Sequence, residues 1–266
     1  YIAGQKEPVI DMPTRFVDFM CVLVPMAGDD TTPEGEQVNI YGNHVGSWNF
    51  AATAYLNQWK VKIYYEHYFD DHSQMFFQYG RWKDGHIGLE ITFPKNRFID
   101  TFVYEGLGTK DQTGPMLYDS FWGEFEEQIS AKDNYYNHYL YQGWQHWGMG
   151  IGNPLLPGPI YNKNGQITFI SNRVLAHHIG FCGSPCQSLS YRMLLSYSRH
   201  WGTYDNPLNE IKKQFNSLFE VTYAPQQLKG WSFTVSGAMD RGSMLGNNYG
   251  GMLVIRKQGI IKSGNK

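Results

Sequence analysis

Trp144, His146, Trp147, Asn153 and Tyr161 lie close together inside the stretch Tyr135–His178, where aromatic rings are crowded among amides and histidines. Residues of these types suit one kind of chemistry. A flat ring covers the C–H face of a sugar, while amide, carboxylate or guanidinium groups reach its hydroxyls. Three further places repeat the mixture. Trp201, Tyr204, Asp205 and Asn206 form a second group, Arg241, Asn247 and Asn248 a third, and His72, Arg81 and Trp82 a fourth. The competing reading is structural: Trp and Tyr mark a membrane–water interface, and polar residues hold loops together. For any single residue both readings stay open.

Other chemistries find less support. Glycoside hydrolysis needs two carboxylates set several ångströms apart. Glu66, Glu90, Glu105 and Glu220 project from polar strand faces, and Asp111, Asp205 and Asp240 sit on or beside loops. Pairing of such carboxylates with Lys60, Lys62, Arg192 or Arg256 is the expected use of their charge. His177 and His178 point to opposite faces of a strand, so they cannot share a metal. His67 and His72 would meet only if a strand end bends. No Ser/His/Asp or Cys/His set has a supporting context, and no Gly-rich phosphate loop follows a strand. Neither a catalytic residue, a metal nor a cofactor is expected. Cys182 and Cys186 flank a Gly-Ser-Pro turn sequence, either as a small disulfide loop or as two free thiols, and Cys21 reads as a packed thiol.

The elements that must position these groups are strands. Lys+Arg number 22 against Asp+Glu 24, which argues against a nucleic-acid partner. With 19 Tyr, 8 Trp and 29 Gly the composition suits an all-β protein with many turns, and equally a transmembrane barrel with aromatic girdles. No apolar run is long enough for a spanning helix, and the mean hydropathy of −0.45 does not argue against a barrel whose alternate residues face a wet lumen. The chain reads as one domain over residues 1–266 with an irregular leading segment, 1–42, in which FVDFMCVLVP is expected as a buried strand.

Alternation then takes over. In WKVKIYYEHYF, Trp59, Val61, Ile63 and Tyr65 share one face and Lys60, Lys62, Tyr64 and Glu66 the other. HVGSWNFAATAYL precedes it across a tight Asn57-Gln58 connection. GHIGLEITF, FIDTFVYEGLG, SNRVLAHHIGF, QSLSYRMLLSYSR, QFNSLFEVTYAP, WSFTVSGAMD and YGGMLVIRK read as further strands, with CGSPC as a turn. HWGTYDNPLNEIKK reads as a long loop, with Leu208, Ile211 and Phe215 at helical spacing behind Asn206-Pro207. Short connections alternate with long ones, the rhythm of an outer-membrane barrel of about ten antiparallel up-and-down strands. The crossings fail to close by one when a descending strand is placed near Tyr135–Tyr141. Trp144–Tyr161 is therefore read as an insertion folding into or over the lumen.

The strings GNHVGSWNF, YYEHYFDDHSQMF, GLEITFPKNRF, DNYYNHYLYQGWQHWGMGIGNPLL, SNRVLAHHIG, YRMLLSYSRHWGTYDNP and GNNYGG together resemble the Wzi-type capsule assembly proteins. The resemblance spans nearly the whole chain. It implies a β-barrel in the bacterial outer membrane that acts as a lectin for capsular or surface polysaccharide, without catalysis or cofactor. It implies surface polysaccharide and outer-membrane lipid as partners, and the protein is expected as a monomer. Members of that family carry more N-terminal strands, so the chain is expected to be part of a larger barrel. The resemblance favours the ligand reading for the aromatic loops as a group. A porin-like solute channel and a β-rich glycoside hydrolase are the alternatives.

Overall fold

The computed structural model describes residues 13–24, 26–33, 37, 41–42, 44–70, 77, 84–96, 98–112, 133–138 and 143–259. Nine strands form one antiparallel sheet: β1 (Val45–Leu56), β2 (Trp59–Asp70), β3 (Gly85–Thr92), β4 (Thr101–Gly108), β7 (Val174–Cys186), β8 (Leu189–Gly202), β9 (Pro207–Tyr223), β10 (Trp231–Gly242) and β11 (Asn248–Lys257). Their order in space is their order in sequence, so the all-β, up-and-down expectation holds. A small hairpin, β5 (Gln145–His146) with β6 (Met149–Gly150), lies in the segment between β4 and β7.

The pairing of β4 with β7 settles the crossing count. β4 runs antiparallel to β7, with Glu105 opposite His178 and Thr101 opposite Cys182. Residues 109–173 thus leave and re-enter the sheet at the same end. The descending strand expected near Tyr135–Tyr141 is absent among the described residues, and without it every connection falls into place. The turns at 57–58, 93–100, 187–188 and 224–230 share one end of the sheet. The connections 71–84, 109–173, 203–206 and 243–247 share the other. The two edge strands, β1 and β11, run in the same direction.

Register fixes which side chains share a face. Tyr64, Gly88, Glu105, His178, Ser196 and Asn216 are successive partners from β2 to β9. Their face is polar. The opposite face carries Trp59, Val61 and Ile63 on β2, Tyr191, Met193, Leu195 and Tyr197 on β8, and Val235 and Leu253 on β10 and β11. Val235 is 61% and Leu253 64% exposed, so no packed core explains this apolar surface.

Three expectations are corrected. FVDFMCVL forms a helix, α1 (Phe16–Leu23), not a buried strand. A short apolar run fits either element, and here the start signal decides: Asp18 accepts hydrogen bonds from the Arg15 backbone N–H at 2.7 Å and from its guanidinium at 2.8 Å. CGSPC is not the turn. β7 continues through it with a bulge between Gly183 and Cys186, and Gln187-Ser188 make the connection. Cys182 and Cys186, on one strand, are free thiols. Finally, HWGTYDNPLNEIKK is no long loop. β8 reaches Gly202, residues 203–206 turn, and β9 starts at Pro207, so pairing such as His200 with Lys212 overrides the helical spacing.

Candidate functional site

The segment from Asp133 to Asn172 returns onto the polar face and is locked there by a small core. Tyr136, Leu156 and Phe169 of this insertion pack against Leu107, Val174 and Ala176 of the sheet. Tyr136 meets Phe169 edge-on at 5.1 Å and stacks on Trp144 at 5.6 Å. Polar contacts fix the root in place. Asn172 donates to Asn134 Oδ1 at 2.6 Å and to the Tyr135 carbonyl at 2.9 Å, and Gln112 donates to Asn172 Oδ1 at 3.0 Å. Asn137 exchanges two hydrogen bonds of 2.8 Å with the Phe169 backbone, a side chain standing in for a strand partner.

Asp84, 3% exposed, anchors the insertion to the start of β3. It accepts from the backbone N–H of Asp111 at 2.9 Å, from that of Gln112, and from the Tyr135 hydroxyl at 2.9 Å. Burial pushes its carboxyl up to about 6, although the three donors pull the other way. Burial also lowers the His138 imidazole, to about 4.

Between the insertion and the sheet lies a cavity of about 840 Å³, within the range of roughly 300–1,000 Å³ usual for small-ligand sites. One wall is ring-rich, with Tyr135, Tyr136, Trp144 and a Pro154–Pro157 segment. The other is the polar face: Glu66, His86, Glu105, His178, Ser196 and Asn216, with the buried Ser198, His200 and Gln214 nearer the long-connection end of the sheet. This pairing of apolar rings with convergent polar groups suits an amphiphilic, hydroxylated ligand.

Neighbours order the polar wall. His86 lies between two carboxylates, its Nδ1 3.8 Å from Glu66 and its Nε2 3.4 Å from Glu105. Ser47 donates to Glu66 at 2.6 Å. The Tyr64 hydroxyl donates to Glu105, two strands away. Gly88, on the strand between, permits this reach, because a Cβ there would run into the Tyr64 ring. His178 Nδ1 lies 2.6 Å from Ser196 Oγ, and His200 Nε2 2.9 Å from Ser198 Oγ. The expected charge pairs occur lower on the same face, as Lys60 with Glu90 at 3.5 Å and Arg192 with Glu220 at 3.4 Å. No cluster of metal-ligating side chains occurs among the described residues.

The sequence candidates divide between several places. Trp144 and Asn153 line the cavity. Asn153 also accepts from the Leu155 N–H at 3.0 Å, and its own N–H donates to the Tyr136 hydroxyl at 2.9 Å. His146 and Trp147 sit on the β5–β6 hairpin and Tyr161 on the adjoining 3₁₀ turn, Pro159–Tyr161, tied to it by Ile160 N–H to Gly148 O at 2.8 Å. Trp147 is 85% and Tyr161 62% exposed. Trp201 lies away from the cavity with Lys110 at 5.2 Å and Arg199 at 5.3 Å from its ring. Tyr204 is covered by the Arg173 guanidinium at 3.9 Å and donates to the Asp111 carbonyl at 3.1 Å. Asp205 is exposed on the 203–206 turn and Arg241 on the apolar side of β10, while Asn247 closes its own turn by accepting from the Gly242 N–H at 3.1 Å. His72, Arg81 and Trp82 fall outside the described residues.

Sequence reading missed the wall formed by His178, Ser196, Ser198 and His200. Alternation marks each as polar-facing, but only register brings them together. Comparison of the chain with protein-family models, curated proteins and solved structures gave no match.

Proposed function

We propose that this chain forms part of an outer-membrane β-barrel that holds a capsular or surface polysaccharide in the cavity beneath the insertion. One observation carries the reading: the sheet is apolar and exposed on one face, polar on the other, and the insertion covers the polar face at the long-connection end. An apolar outer surface suits lipid, and a wet inner surface suits a lumen. An all-antiparallel barrel containing this sheet needs an odd number of further strands between β11 and β1, because those edges run the same way. Weak contacts to one sugar residue suffice where a polymer presents the same residue many times.

The protein acts by binding rather than by hydrolysis. Glu66 and Glu105 are held by His86, Ser47 and Tyr64, an arrangement that supports a fixed acceptor surface. Capsular or surface polysaccharide pull-down tests the reading. Trp144→Ala is expected to lower retention at least severalfold, with the barrel fold intact by heat-modified gel mobility; unchanged retention would remove the cavity from the reading. Large steady single-channel currents in liposomes would favour a solute channel instead. Val235→Lys places a charge on the lipid face, expected to cost about 2–4 kcal/mol if that site lies near mid-bilayer; normal outer-membrane assembly of this variant would count against the lipid assignment.

A further inference from the structure

Charge on the outward, apolar face of the sheet is gathered at one rim. At the long-connection end five successive strands each set one cation on that face: Lys110 just past β4, Arg173 just before β7, Arg199 on β8, Lys213 on β9 and Arg241 on β10. Alternation fixes the facing. Their chain neighbours Thr109, Ser198 and Gln214 line the cavity on the other face, and Val174 packs under the insertion there. Among the described residues, every Asp and Glu of the nine strands falls on the polar face, so the strands supply these cations with no carboxylate.

The cations lie close enough to act together. Arg199 stands directly opposite Lys213 in the β8–β9 pair, where like charges repel. Arg241 pairs with Phe215, a diagonal step of about 7–8 Å from Lys213. Lys110 and Arg199 lie 5.2 and 5.3 Å from the Trp201 ring, and Arg173 Nε donates to the Lys110 carbonyl at 3.2 Å. Lys213 and Arg241 are exposed. An anion seated between Arg199 and Lys213 turns a repulsive pair into two charge-assisted hydrogen bonds. Phosphate suits the place, because its several oxygens accept from arginine and lysine at once.

What carries the phosphate follows from the position. The next outward residues below Arg199, Lys213 and Arg241 are Tyr197, Phe215 and Met239, and the face stays apolar through Val235 and Leu253. An anion held at this rim lies at the edge of the surface assigned to lipid, where a headgroup sits above its own acyl chains. A soluble anion would gain nothing from the apolar face.

We infer that this rim docks a phosphorylated lipid headgroup of the outer leaflet, with Arg199 and Lys213 as its central pair. The inference rests on the outer-membrane barrel reading, in which long connections lie outside, and fails separately from it.

The test uses the intact protein in uncharged detergent micelles. Fluorescent diphosphorylated lipid A and the same lipid stripped of its phosphates form a matched pair. The phosphorylated form is expected to bind roughly tenfold or more tightly, with the gap closing as salt is raised. Each cation removed is expected to weaken it roughly fivefold, the usual effect of one basic side chain at an anionic membrane surface. Arg199→Gln/Lys213→Gln is therefore expected to lose roughly 25-fold for the phosphorylated form and nothing for the stripped one. Lys257→Gln, which removes an outward cation at the opposite end of the sheet, is expected to leave both unchanged. The wild-type comparison requires no variant, so a folding failure leaves the test intact. Equal binding of the two lipid forms, or an equal loss in Lys257→Gln, would overturn the headgroup site and leave the barrel standing. Inorganic phosphate or polygalacturonate competing as strongly as lipid A itself would do the same. Failure of the protein to insert into phosphatidylcholine vesicles would overturn both.

Discussion

The two ends of the insertion differ in nearly every physical respect. At its root Phe169 is 1% exposed, Asn172 fully buried, and most polar side chains are bonded to neighbours or sheet. At its tip Trp147 stands 85% exposed on a hairpin turn whose two residues, Trp147 and Gly148, have φ of 53° and 80°. The difference teaches that one segment does two jobs. The root sets the shape of the cavity, which requires rigidity. The tip presents rings to the surroundings.

The comparison breaks most sharply at the root. Phe169→Ala is expected to cost about 3–5 kcal/mol, the usual range for emptying a buried aromatic site. Trp147→Ala at the tip is expected to cost under about 0.5 kcal/mol, as for exposed positions. Urea-dependent protease cleavage within the insertion measures both; similar values would erase the distinction between root and tip.

Acid sharpens the contrast, because the root holds two shifted groups of opposite sign. Asp84 has its carboxyl raised to about 6 from an ordinary 3.8, so its contribution is fully present below 3.8 and is lost as pH rises through 6. That loss amounts to about 3 kcal/mol from a shift of roughly two units. His138 is lowered from 6.5 to about 4, so its contribution is present above 6.5 and is lost as pH falls through 4. The two oppose each other in the wild-type protein. In His138→Gln the attachment of the insertion is expected to strengthen as pH drops from 6.5 to 4.5, and in Asp84→Ser to weaken. Hydrogen exchange of residues 134–138 across that range reads the sign. A pH trend shared by both variants would refute the assignment.

The smallest expected effect lies at the hairpin. Trp147→Gly relieves a left-handed backbone position, worth about 1 kcal/mol for a residue with a Cβ, while Trp147→Ala leaves the strain. Amide exchange at Gln145–Gly150 is expected to slow in the glycine variant only.

Much of the fold was legible because strand periodicity is local. Trp59 to Tyr65 alternating with Lys60 to Glu66 declares a two-faced strand without reference to any neighbour, and Asn57, at φ 56°, supports the tight turn that the sequence suggests. Boundaries were less legible. The run Phe16–Leu23 fits two elements, and the Cys182–Cys186 stretch resembles a turn that pairing turns into a bulged strand end. The site was least legible. Trp144 and Asn153 stood out by type, but Asp84 looks like any loop aspartate until its three donors, two from Asp111 and Gln112 and one from Tyr135, arrive from distant parts of the chain.

By itself the sequence determined the strands, their two faces and the long connection that departs after β4, since each depends on side-chain type at a period of two. Only the tertiary structure decided that the connection re-enters at the end it left. It alone set Glu105 opposite His178 and His178 opposite Ser196, and put Trp144 rather than Trp201 over that wall. Register and docking are sums over many distant contacts, and no local pattern encodes them.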